Sequence, residues 1–171
     1  MDSDSIRSTL TEALVNGLPP VGFSLNRSGT GLILSRFPSP NCYLSLERLP
    51  RGPLSFMVRS YRSMNHDYES LETHIERCFK NGRHAPVELG NRSTIELSGI
   101  ERLAISFVTG GNVSRKKWSA ALVPSPDGGP YGLLVMFGVY VGARTNPRNF
   151  DVKQHPIHKN LIQSFRLENG R

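Results

Sequence analysis

The sequence predicts an α+β domain in which a central, mainly antiparallel twisted sheet is flanked by helices. Three observations carry this reading. Residues 100–108, 117–123 and 131–141 are three apolar runs, β-branched or aromatic at period two, separated by turns at 109–112 and 124–130. Two antiparallel reversals of that kind make a three-stranded meander. Elsewhere, Leu71, Ile75, Cys78 and Phe79, and again Ile157, Leu161, Ile162 and Phe165, repeat at helical spacing. Strands also come in runs with few helices between them, the order of an α+β chain rather than a doubly wound one. Two helices on opposite faces of one twisted sheet would bury both stripes.

The elements follow in order. Residues 5–16 read as a helix with Ile6, Leu10 and Leu14 on one side, capped by Asp4 or Ser5 and stopped by Gly17 and Pro19-Pro20. Residues 21–26 alternate as a half-buried strand, and 32–35 make a second, short one. Residues 43–49 and 54–61 read as paired strands around Pro50-Arg51-Gly52-Pro53. Asn65 or Asp67 then caps a helix whose wet side holds Glu69, Glu72, Glu76 and Lys80 and which ends at Asn81-Gly82. Acid early and base late suits its dipole. Two short strands, 87–89 and 94–97, lead into the meander. After a basic, irregular stretch from Gly142 to Gln154, Pro156 opens the last helix in the first-turn position that suits proline. Without repeat or linker, the chain reads as one domain over 1–171, with an N-terminal helix in 1–17 and a sheet-and-helix core in 21–167.

Size and composition bound the function. At 171 residues the chain is long enough for a core without metal or disulfide support. No segment approaches the length of a membrane span. Met1-Asp2-Ser3-Asp4-Ser5 has neither the basic nor the apolar region of a secretory leader, so a cytoplasmic chain is expected. Cys42 and Cys78 are read as free thiols, a bond between them being the alternative. The net charge of +7 is uneven. From Arg102 to Arg166 nine cations face only Asp127 and Asp151, a one-sided basic surface suited to an acidic partner or, at its blandest, to solubility.

Chemical motifs are scarce. The chain has no GxSxG elbow, Walker loop, HExxH, EF-hand loop or CxxC, and Gly29-Thr30-Gly31 lacks the third glycine and following helix of a nucleotide cradle. No cofactor is expected. His155 and His158, three apart at a helix start with Asp151 upstream, could be read as a metal or base site. With no further ligand, the reading preferred is a capping residue and a solvated first-turn histidine. Arg115-Lys116-Lys117-Trp118, with Arg144, Arg148 and Lys153, could form a basic patch with one aromatic for stacking on nucleic acid. The phase of Trp118 with Ala120 and Leu122 instead places it in the core.

A family resemblance rests on the strand Gly99-Ile100-Glu101-Arg102-Leu103-Ala104, the hairpin and long apolar strand after it, and the close Leu161-Ile162-Gln163-Ser164-Phe165-Arg166-Leu167. This arrangement resembles the Mog/PsbP-like superfamily, from about Val21 to Leu167, with residues 1–16 outside it. The resemblance implies an α/β/α sandwich with a central antiparallel sheet and no catalysis. It points to binding or assembly roles like those of the Ran-binding, photosystem II, DcrB-type and type VI effector-chaperone relatives. This chain is basic where the Ran-binding members are acidic, and it has no lipoprotein or transit signal.

The expected function is therefore a non-enzymatic, chaperone-like binding or assembly protein, in a secretion or complex-assembly role. Arg115, Lys116, Lys117, Arg144, Arg148 and Lys153 would contact an acidic protein or other anionic partner. The alternatives are a small ligand-binding protein or enzyme with a pocket between sheet and helix, using His155 or Tyr140, and a nucleic-acid-binding protein.

Overall fold

The computed structural model describes residues 23–25, 32–34, 43–46, 54–62, 65–79, 86–111, 115–124, 131–142, 146–147, 150–164 and 166–167. The helix expected at 5–16, Cys42, Arg144 and Arg148 lie outside the described residues. The described elements are β1 (Phe23–Leu25), β2 (Leu32–Leu34), β3 (Tyr43–Leu46), β4 (Leu54–Arg62), α1 (Tyr68–Phe79), β5 (Val87–Leu97), β6 (Ile100–Thr109), β7 (Lys116–Pro124), β8 (Tyr131–Tyr140), a 3-10 turn (Val152–Gln154), α2 (Pro156–Ser164) and β9 (Arg166–Leu167). Six strands form one sheet in the order β3-β4-β8-β7-β6-β5, and β1-β2-β9 form a second. The expected meander is β6-β7-β8, antiparallel throughout.

Strand alternation sorts the large sheet into two packed faces. On one, α1 lays Leu71, Ile75 and Phe79 over Phe107, Trp118, Ala120, Leu122, Leu134 and Met136. Trp118 is 1 % exposed, stacks on Phe107 with ring planes 5° apart, and donates Nε1–H to Thr109 Oγ1 at 2.8 Å. Its polar edge is thus satisfied in the core. Its register partner must be glycine: a Cβ on Gly138 would lie 2.6 Å from the indole ring. On the other face, Ala121, Val123, Val135, Phe137 and Val139 are buried. His158 meets Phe137 edge-on there, and the 3-10 turn, with Val152 buried, packs on β7 and β8. The two helices therefore cover opposite faces, and the fold is an α/β/α sandwich.

Three expectations are corrected. The two short strands at 87–89 and 94–97 are one eleven-residue strand, β5. Gly90-Asn91, which reads as a break, is a bulge: the ladder to β6 shifts between Leu89 and Arg92 and resumes. The last helix stops at Ser164, and Arg166–Leu167 pairs in parallel with β2. The single expected sheet is two.

The edge strand β5 is tied down rather than left bare. Arg92 donates Nε–H to Glu72 at 2.9 Å and pairs with Glu69, and Tyr68 donates its hydroxyl proton to the Ser93 carbonyl at 2.7 Å. Ser98 and Gly99, both at positive φ, close the two-residue turn into β6.

Candidate functional site

The Arg115–Lys117 segment enters β7 at the end of the sheet where β6 has turned through Gly110 and Gly111. The backbone pins it, since the Arg115 carbonyl accepts the Val141 N–H at 2.8 Å. Adjacent residues of a strand point to opposite faces, so the expected cluster is divided. Lys116 shares the face of Trp118, with Nζ 5.7 Å from the centre of the indole ring. Lys117 lies on the other face, and its ammonium donates to the carbonyls of Pro147 and Phe150. Burial pulls the Lys117 pKa below its ordinary value, with Asp151 pulling the other way. Lys117 thus anchors the tail. Lys153 stands on the 3-10 turn over the same face, where its backbone N–H is capped by Asp151 Oδ1 at 3.0 Å.

Between this anchored tail and the edge of the sheet lies an open cleft of about 710 Å³. Glu88, Val108 and Lys117 stand opposite one another across β5, β6 and β7 and line it together. Arg115 and Pro147 belong to the inner wall, while Leu89 and the Gly90-Asn91 bulge belong to the outer one. Gly90 sits so close to β6 that a Cβ would fall 2.7 Å from Ser106 Oγ, and that hydroxyl accepts the Asn91 N–H at 3.0 Å. The structure therefore brings Arg115 and Lys117 to one cleft and turns Lys116 away from it. Sequence reasoning missed Glu88, Ser106 and Val108. A glycine inside an otherwise alternating strand is the signal that could have marked the bulge.

Two other constellations prove structural. His158, expected to be solvated, is fully buried and donates Nε2–H to the Gly138 carbonyl at 2.8 Å. Its Nδ1 has no hydrogen-bond partner, and burial holds its pKa down at about 4. The His155 carbonyl accepts the Lys159 N–H at 2.8 Å, the first backbone bond of the helix, while the His155 side-chain Nδ1 has no hydrogen-bond partner. Among the described residues no three His, Cys, Asp or Glu side chains gather to hold a metal ion. Cys78 is a free, half-buried thiol, 2.7 Å from the Tyr61 hydroxyl and 3.4 Å from Arg59 Nη1. Burial and the neighbouring sulfur push ionisation of Tyr61 far above its usual range. Trp118 lies inside the core, so it cannot itself stack on nucleic acid. Among the described residues no helix is long and apolar enough to cross a membrane.

With both faces of the large sheet covered, the class the described elements define is an α/β/α sandwich. No family model matches the chain, and no curated protein matches it in sequence. Among solved structures, the Ran-binding protein Mog1p of Saccharomyces cerevisiae superposes with a TM-score of 0.51 at 11 % identity, covering 84 % of this chain and 82 % of that one. A mutant of Mog1 superposes at 0.49 and 12 % identity, covering 84 % and 81 %. The first of these likenesses carries the fold.

Proposed function

We infer that this chain is a non-enzymatic binding or assembly protein that meets an acidic or anionic partner at the β7 end of its sheet. One observation carries the reading: Arg115 and Lys117 line one open cleft, with Lys116 next to them on the opposite face of β7. Arg144 and Arg148 add charge in the same stretch of sequence. Clustered cations steer encounter and form charge-assisted bonds to carboxylate or phosphate. Because the Mog1p it resembles in fold is a Ran-binding protein, Ran is a first purified partner to try.

The test is capture by the immobilised chain from an extract of its own cell, compared with an Arg115→Glu/Lys116→Glu variant at two salt concentrations. Lys117 is left intact because it holds the tail. Capture should fall about tenfold in the variant, and raised salt should weaken the wild type in parallel. Undiminished capture by the variant would overturn the basic-rim reading.

A further inference from the structure

We propose that the cleft between the β5 bulge and the Arg115–Pro147 wall is a docking groove for an extended segment of the protein partner. That segment would carry a carboxylate beside an apolar side chain. This proposal rests on the reading above and says where and how the partner is gripped.

Three features of the groove select this occupant. Its size, about 710 Å³, exceeds what one side chain fills and matches several residues of extended chain. Its floor is apolar: Val108 is half-buried at the centre and Pro147 is half-buried on the inner wall. Its walls differ in charge. Arg115 and Lys117 are on the inner side and Glu88 is on the edge strand, two strands away, or about 10 Å at ordinary strand spacing. A carboxylate is drawn to the Arg115 wall and repelled from Glu88, which sets the orientation of the segment. The Arg115 guanidinium supplies the positive charge on that wall.

The bulge shapes the groove and keeps it from being filled by a second copy of the same edge. At Gly90-Asn91 the ladder is interrupted, and the Asn91 N–H turns inward to Ser106. An antiparallel copy centred on Arg92 would set Arg92 against Arg92 and Glu88 against Glu96, which disfavours self-pairing.

A random octapeptide display library selected on the immobilised full chain, in parallel with the Arg115→Glu variant, tests the groove. The expected result is enrichment of Asp or Glu next to Leu, Ile or Phe on the wild type and its loss on the variant. The best synthetic peptide should shift the amide resonances of Leu89, Asn91, Ser106 and Val108. It should bind at least tenfold more weakly to Arg115→Glu and severalfold more tightly to Glu88→Lys, an exposed change. No enrichment, enrichment indifferent to Arg115→Glu, or shifts that bypass the groove would each overturn the proposal. In the last case extract capture would still depend on Arg115 and Lys116, leaving the basic-rim reading intact.

Discussion

At the scale of single residues, packing and unshared charge set the sharpest expectations. Gly138→Ala drives a methyl into the Trp118 ring, 2.6 Å away in a core that cannot yield. The fold should lose about 1–3 kcal/mol, read as a lower urea midpoint. Lys117→Met keeps the apolar stem but removes the donor to Pro147 and Phe150. Amide exchange over residues 146–154 should quicken, while exchange in the Trp118 core should not. His158 gives a pH dependence whose sign follows from its buried, unpartnered Nδ1. Its folded pKa, about 4, lies below the ordinary 6.5. The stabilisation is thus complete above about pH 6.5 and is lost as pH falls towards 4, on the order of 3 kcal/mol in all. Burial moves His74 and His155 the same way. Urea melts at pH 7 and 4.5 should show the loss, and a His158→Gln variant should show a smaller one.

At the scale of elements, β5 is the informative case. Its bulge sets Gly90 and Asn91 opposite the single residue Ser106, while Leu89 keeps Phe107 and Arg92 keeps Ile105. Deleting Asn91 should therefore regularise the strand without changing which face any later residue occupies. The fold should survive, with a melting temperature close to that of the wild type and an altered groove. Deleting Thr94 lacks that escape. It throws either the outer half of the strand or the buried Ile95 and Leu97 out of phase. Exposing the latter pair would cost about 1.5–3 kcal/mol for each side chain, and a large drop in melting temperature should report it. Much of this was legible beforehand. Each strand of the meander and the buried stripe of α1 came from periodicities read within one segment. Alternation alone also separates Lys116 from Lys117, a consequence the reading of a single basic patch overlooked. The continuity of β5 was not legible, because a Gly-Asn pair has the composition of a turn and only the partner strand shows that pairing resumes.

For the whole molecule, the sequence by itself determined the class of fold, the meander, the covering helices and the place of Trp118 in the core. These follow from local periodicity, because a face that must be buried repeats at 2 or 3.6 residues whatever it is buried against. Only the tertiary structure decided the rest. It paired β9 with β2 across more than a hundred residues of chain. It buried His158 against Gly138 and spent Lys117 on the tail. It set Glu88, Val108 and Lys117 in line along one cleft. Each of these is a contact between segments distant in sequence, and nothing in either segment's own pattern names the other. The partner of a charge or of a strand edge is settled by the register and packing of the folded chain.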